Sequence, residues 1–294
     1  MWEQKIKMKT VLVTGAYGQL GEACRKHLKN NFNLIMSGIS PVDNGVKLDI
    51  TSQDSVTKVL SELSPDVILN LAALTDVDEC ELDPESAHNI NVNGVKNLCS
   101  DFSGHFIQIS SDYVFDGESG PYSENDKTNP VSVYGKTKLD ADNWLVENYP
   151  RSTIIRTNVV YSYTRRTQAS FLKWVVNSLE NKKRIKVVND QWNNPTWTES
   201  LAEVTYKMIK NELFDLYHYG DRDILNRFEF SLLIAKVFNL DSSLILPVST
   251  DQLNQHAPRP KKSGLVTNKI ESKLGIIPKS VETCLEQIRK QFLK

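Results

Sequence analysis

From Thr10 to Thr157 short β-branched runs alternate with longer amphipathic segments, and this alternation restricts the fold more than any other feature. The runs read TVLVTG, NLIMSG, VKLDI, DVILNLA, HFIQISS and STIIRT. Helical periodicity falls between them at 19–30, 52–62, 85–101 and 132–148, with Thr51 or Ser52 placed to cap the second helix. Strands separated by helices cannot pair as hairpins; they line up parallel, with helices covering both faces of the sheet. Beyond Thr157 the pattern loosens into a helix near 169–181, a strand at RIKVV, a helix from Thr198 and mixed segments, as expected of a second, smaller lobe. No Pro/Gly-rich linker and no fixed repeat separates the parts. The predicted organisation is a sheet domain over 8–160, completed by parts of 183–225, and an interleaved mixed α/β lobe over most of 161–294.

With 294 residues, 35 basic and 36 acidic side chains, a net charge of -1 and no long run of one sign, nothing suggests a nucleic-acid or anionic-membrane partner. Four cysteines, Cys24, Cys80, Cys99 and Cys284, follow no C-x-x-C or zinc-type spacing, which predicts reduced thiols and no metal centre. The opening MWEQKIKMKTVLVTG lacks the apolar core of a secretory signal, and no run approaches the roughly 20 apolar residues of a membrane span. A soluble, cytoplasmic protein is expected.

The first run ends in a glycine loop. KTVLVTGAYGQLGEACRKHL puts Gly15, Gly18 and Gly21 between a strand and the start of a helix. Such a turn aims unpaired N–H groups and the positive end of the helix dipole at a pyrophosphate, so the fold class is a Rossmann-like doubly wound sheet binding NADP(H) or NAD(H). An acidic residue after the second strand would hold the adenosine ribose of NAD. Met36 to Ser40 contain none, which admits NADP(H), although no arginine there requires it. Asp49 and Ile50 either flank the adenine, or Asp49 caps the next helix.

The spacing Tyr-x-x-x-Lys occurs twice, at Tyr134/Lys138 and at Tyr206/Lys210. Context separates them. HFIQISSDYVFDG is a strand ending in Ser110 and Ser111, and the carboxyl ends of strands in a parallel sheet are where ligands bind. Tyr134 opens the next helix, whereas Tyr206 lies in the late segment SLAEVTYKMIK with no hydroxyl-ended strand before it. Residues four apart share a helix face, so Lys138 can favour the Tyr134 phenolate and bring the phenol toward neutrality together with a bound nicotinamide. Tyr134 is then a general acid, and Ser111 a hydrogen-bond donor to a carbonyl oxygen that gains negative charge during hydride transfer.

Together VTGAYGQLG, ISSDYVFDG and YGKTK resemble the extended short-chain dehydrogenase/reductases, and within them the dTDP-4-dehydrorhamnose reductase group. LNLAALTDVDECE, PYSENDKTNPVSVYGKTK, VVNDQWNNPTW and RPKKSGL extend the resemblance over most of the chain. It implies pyrophosphate contacts at Gly15, Tyr17, Gly18, Gln19 and Leu20, adenine contacts at Asp49 and Ile50, and cofactor contacts at Leu71, Ala72 and Ala73. It implies reaction at Ser111, Tyr134 and Lys138, with Tyr134 and Lys138 also touching cofactor, and substrate contacts at Ser111, Asp112 and Arg259. Arg259 is the expected diphosphate fork. The implied activity is NAD(P)H-dependent reduction of the C4 keto group of a nucleotide-linked 4-keto-6-deoxyhexose, and a homodimer is among the assemblies that the group forms. Val159 stands where the rhamnose enzymes commonly show tryptophan and Asn193 where glycine is usual, so the base and sugar stay open. Three other readings are an epimerase of the same superfamily, a dehydratase, which Tyr113 after Asp112 disfavours, and a regulatory subunit resembling that of methionine adenosyltransferase.

Overall fold

A computed structural model of the chain describes residues 8–163, 170–253 and 255–292. Six strands come from the alternating segment: β1 (Thr10–Thr14), β2 (Asn33–Gly38), β3 (Val46–Lys47), β4 (Val67–Asn70), β5 (His105–Ser111) and β6 (Ser152–Thr157). With the later strand Asp215–His218 they form one seven-stranded sheet in the order Asp215–His218, β6, β5, β4, β1, β2, β3, parallel throughout. Successive strands are added on opposite sides of β1, which leaves a crevice between the carboxyl ends of β1 and β4.

Period-two alternation within β1 explains how one strand serves two layers. Val11 and Val13 join a core with Leu28, Leu201 and Met208, while Leu12 joins another with Val56, Ile68, Leu98, Phe106 and Leu145. Burying one such aliphatic side chain contributes about 1.5–3 kcal/mol, so both helical layers are fastened to the sheet chiefly by apolar area. The helices of the first part are α1 (Gln19–Leu28), α2 (Gln53–Leu63), α3 (Val77–Leu82), α4 (Pro84–His88), α5 (Gly94–Ser100) and α6 (Val133–Asn148). Ser52 caps α2 by accepting a hydrogen bond from the Ser55 N–H.

Two local expectations are corrected. The run VKLDI forms only the two residues of β3, because the Asp49 carboxylate turns the chain by accepting from the Thr51 N–H at 2.9 Å and its hydroxyl at 2.7 Å. The helix expected over 85–101 is interrupted by a π turn at Asn89–Asn93. Within that turn buried Asn91 pairs with Leu74, accepting from its N–H at 2.8 Å and donating to its carbonyl at 3.1 Å. The widened turn thereby braces the loop that follows β4.

The second lobe has its own core, in which Tyr161, Leu172, Trp197, Phe230, Ile234 and Leu285 join the helices Phe171–Glu180, Arg227–Phe238 and Val281–Phe292. A two-stranded parallel ribbon, Ile185–Val188 with Ile245–Val248, closes it. The helix Thr198–Asn211 returns to the first layer and packs on α1.

Candidate active site

Backbone shape comes first at the crevice. Gly15 has φ 57°, and a Cβ there would lie 2.6 Å from the Ala72 nitrogen, so only glycine lets the ends of β1 and β4 close on each other. A Cβ at Gly21 would lie 2.2 Å from the Ala16 carbonyl oxygen, so glycine also sets how tightly α1 sits on the loop. Gly18 is the N-cap of α1 with no side-chain cap, and a Cβ there would have only the Gly15 carbonyl, at 3.6 Å, near it. An uncapped helix start over a glycine floor is a cradle that fits a pyrophosphate. Gly15, Gly18, Gln19, Leu20, Leu71, Ala72 and Ala73 all line one cavity of about 550 Å³.

Tyr17, Asp49 and Ile50 are not in that lining. The Tyr17 hydroxyl donates to the carbonyls of Met36 at 3.3 Å and Val42 at 3.2 Å, with its ring against Gly38, so it ties the glycine loop to the end of β2. Asp49 is engaged by Thr51, and Ile50 is packed into the core, where a Cβ at Gly94 would lie 2.6 Å from its Cδ1. Gln19 reaches the other way, donating to the Val160 carbonyl at 3.3 Å and accepting from Ser162 at 3.0 Å.

At the far end of the same cavity stand Ser111, Tyr134 and Lys138. Ser132 caps α6 by accepting from the Gly135 N–H, and a Cβ at Gly135 would lie 2.1 Å from the Tyr113 carbonyl oxygen, so the first turn of α6 is pressed onto the end of β5. Lys138 is buried and its Nζ donates to the Ile109 carbonyl at 2.8 Å. Burial pulls the ammonium down to about 8, with Asp142 and then Cys80 opposing. For Tyr134 the outcome differs from the expected acidification: burial pushes the phenol up, and the force pulling it down is a hydrogen bond with Ser111. The Lys138 ammonium is turned onto β5. The Tyr113 ring meets that of Tyr134 edge to face at 5.4 Å, walling the site on that side.

The substrate side holds the largest difference from the sequence reading. Arg259, expected as a free diphosphate fork, is closed on the Asp78 carboxylate, with Nη1–Oδ1 at 2.9 Å and Nη2–Oδ2 at 3.0 Å. The Arg259 hydrogen bond holds Asp78 below its ordinary value. Arg227 instead lines the cavity beside Asp112 and Tyr113 with no ion pair or hydrogen bond among the described residues; its guanidinium lies 5.2 Å from the Phe171 ring centroid. Sequence reading missed it, since only the Asn226/Glu229 capping box marks that helix start. Asp112 also lines the cavity, but both its oxygens are engaged, by Ser111 at 3.1 Å and by Ser263. Burial pushes its carboxyl up to about 6, with the Ser263 and Ser111 hydrogen bonds opposing.

Two further residues of the lining come from the end of β6. Thr157 pairs in register with Ser111, and its buried hydroxyl has no hydrogen-bond partner among the described residues. Val159 adopts φ 43°, a strained conformation for a β-branched residue, at the rim of the cavity. Among the described residues no cluster of His, Cys, Asp and Glu could hold a metal ion, and no helix is long and apolar enough to cross a membrane.

The chain is similar to known proteins over most of its length. The family described as RmlD substrate binding domain matches residues 8–293. A dTDP-4-dehydrorhamnose reductase of Aggregatibacter actinomycetemcomitans is 32% identical over 96% of this chain and 99% of its own. The methionine adenosyltransferase 2 subunit beta of Danio rerio is 31% identical over 89% of this chain and 84% of its own. The solved dTDP-4-dehydrorhamnose reductase of Bacillus anthracis in complex with NADP superposes with a TM-score of 0.90 at 28% identity, over 97% of this chain and 100% of that one. With a family match over nearly its whole length, the chain belongs to the RmlD substrate binding domain family.

Proposed function

We propose that the protein is an NAD(P)H-dependent reductase that converts the C4 keto group of a nucleotide-linked 4-keto-6-deoxyhexose to an alcohol. The observation that carries this reading is the meeting of Ser111, Tyr134 and Lys138 in the cavity that the glycine cradle opens. A bound reduced nicotinamide supplies the hydride. Ser111 donates a hydrogen bond to the substrate oxygen as it takes up negative charge, and Tyr134 gives that oxygen its proton. Lys138, anchored on the Ile109 carbonyl, supplies the positive charge that makes the phenol a better acid as the proton leaves. Arg227, with no ion pair among the described residues, is the group suited to the substrate diphosphate, because a guanidinium fork matches two phosphate oxygens at once. A cytoplasmic location accompanies this reading.

NADPH is accepted at least as well as NADH under this proposal, since no carboxylate lies across Met36 to Ser40. Ser37 is unsuited to testing that choice, being fully buried with its hydroxyl on the Val13 carbonyl at 2.9 Å. Ile39, 67% exposed, is the position to change, and Ile39→Asp should shift preference toward NADH.

The test is a panel of nucleotide-linked 4-keto-6-deoxyhexoses offered with NADPH and NADH, following loss of reduced-nicotinamide absorbance. Turnover of one member supports the proposal. Tight NADPH binding without turnover of any member would favour a second reading, a cofactor-binding regulatory subunit, which the likeness to the methionine adenosyltransferase subunit motivates.

A further inference from the structure

Two of the last three residues of β5, Ile109 and Ser110, hold neighbouring turns on a single face of α6, and the third, Ser111, lines the cavity with Tyr134. The Ile109 carbonyl accepts from Lys138 at 2.8 Å, and the Ser110 hydroxyl donates to Asp142 Oδ2 at 2.9 Å. Tyr134, Lys138 and Asp142 follow at steps of four, so Asp142 lies one turn beyond Lys138 on the same side of the helix. From β6, Arg156 Nε donates to the same Oδ2 at 3.0 Å, with both side chains almost wholly buried. The other oxygen, Oδ1, is buried with no hydrogen-bond partner among the described residues. A carboxylate oxygen left bare in the interior is costly, and such a group calls for a reason beyond packing.

We propose that Asp142 is a positioning residue whose carboxylate keeps Lys138 in its ammonium form for the reduction. Charges in a buried site interact across several ångströms far more strongly than in water, so Asp142 acts on Lys138 without touching it. The other groups around the pair do not replace it. Facing Lys138 from α3 is Cys80, a thiol that burial and the nearby acids Asp76, Glu79 and Glu81 push up to about 11, so it stays neutral. Tyr134 on the same helix is a neutral phenol, pushed up by burial. Facing Asp142 are Ser110, Lys138 and Arg156, and beyond Arg156 lie the Phe115 ring and His218, which burial and then the Arg156 charge pull down to about 3 and hold neutral. Burial pushes the Asp142 carboxyl up, and the Arg156 charge, then the Ser110 hydrogen bond and the Lys138 charge, oppose it, so Arg156 favours the anion whose charge acts on Lys138.

The inference rests on the proposed reduction only for its effect on turnover, so the first measurement avoids turnover. In unliganded, 15N-lysine-labelled protein the Lys138 Nζ resonance is followed against pH in wild type and in Asp142→Asn. Loss of the carboxylate should lower the Lys138 midpoint by about one pH unit, and Asp142→Glu should restore most of it. The alkaline limb of kcat/KM should move down with it, giving a roughly fivefold loss at pH 8. A folded Asp142→Asn with an unmoved Lys138 midpoint and only a lower Tm would reduce Asp142 to a brace between α6 and β6, and overturn the proposal. Because that variant strands Arg156 without a counter-ion, the pair Asp142→Asn with Arg156→Met, which removes both charges, is measured alongside, and the same fall is required of it. A lowered midpoint in a protein that reduces no ketosugar would leave the role of Asp142 standing and remove the reductase reading instead.

Discussion

Two helices carry the same Tyr-x-x-x-Lys spacing, and their surroundings differ in burial and in what is left unpaired. On α6, Lys138 is buried on the Ile109 carbonyl in a cavity that Arg227 and Thr157 also line, and among the described residues Arg227 has no ion pair and the Asp142 Oδ1 and Thr157 hydroxyl no hydrogen bond. On the helix Thr198–Asn211, Lys210 lies 6.0 Å from the ring centroid of its own Tyr206, which packs edge to face on Phe32 and donates to Asn31 at 3.4 Å. Buried Thr205 beside it donates to the Leu201 carbonyl at 2.8 Å. The second helix satisfies its groups within the fold. The first keeps several open at the ends of parallel strands, and that is the mark of a ligand site rather than of the spacing itself.

The largest test is the matched pair of tyrosines. Tyr134→Phe should lower turnover by about 10²–10⁴-fold with NADPH affinity unchanged, since it deletes the proton donor and leaves the glycine cradle intact. Tyr206→Phe should change neither turnover nor, beyond about 0.5 kcal/mol, stability. Steady-state kinetics with denaturant melts reads both, and a silent Tyr134→Phe would break the comparison outright. In wild type the rate should also fall as pH rises through about 8, because a Lys138 ammonium held low by burial loses its charge there.

The two arginines repeat the contrast at a smaller scale. Arg227→Ala should weaken sugar-nucleotide binding by about 2 kcal/mol and leave NADPH binding alone, because its guanidinium has no hydrogen bond or ion pair among the described residues. Arg259→Ala should instead show mainly in stability, by about 1 kcal/mol, since its partner Asp78 is one-third exposed and regains water. Calorimetric titration of both ligands, with thermal melts, separates them. If the two effects were exchanged, Arg259 would be the diphosphate group that the sequence first suggested.

Why the sequence exposed one half of this picture and not the other follows from the range of the forces. The parallel sheet was legible because period and punctuation are local: β1, β2, β5 and β6 lie where apolar runs stand between helical stretches. Ser111, Tyr134 and Lys138 were legible because strand end and helix start fall within one short segment. The π turn was not, since it answers to a pairing between Asn91 and Leu74. Arg227 was not either, because being unpaired is a property of everything that folds around it. The closure of Arg259 on Asp78 joins residues 181 apart, and no spacing rule reaches that far.

Asp112 extends the comparison to stability. Its folded carboxyl, at about 6, lies above the ordinary carboxylate value, so the native state binds the proton more tightly than the unfolded chain. The contribution of this group to stability is therefore most favourable in acid, falls as pH rises from about 4 through about 6, and stays low above that. Asp112→Asn removes the buried charge while the Ser111 and Ser263 hydroxyls can reorient onto the amide. It should raise stability by about 1–2 kcal/mol at pH 7.5, show no gain near pH 4, and lower turnover. Melts across that range check it. A gain of equal size at both pH values would mean that charge is not the cause.

Thr157 and Thr205 give the smallest and sharpest version of the contrast, because both are buried threonines and differ in whether the hydroxyl has a partner. Valine has nearly the same shape, so Thr→Val isolates the hydroxyl. At Thr205 the change removes a hydrogen bond to a carbonyl and should cost about 1 kcal/mol of stability, with no effect on ligands. At Thr157 the free protein loses a hydroxyl that no group satisfies, so its stability should hold or rise slightly. A ligand lying beside Ser111 would lose a hydrogen bond there, and NADPH or sugar-nucleotide affinity should fall by about 1 kcal/mol, with Thr157→Ser retaining wild-type binding. The opposite signs of the two stability changes are the measurement. If Thr157→Val instead destabilised the unliganded protein as much as Thr205→Val does, its hydroxyl would have a partner within the fold, and the end of β6 would be wall rather than contact.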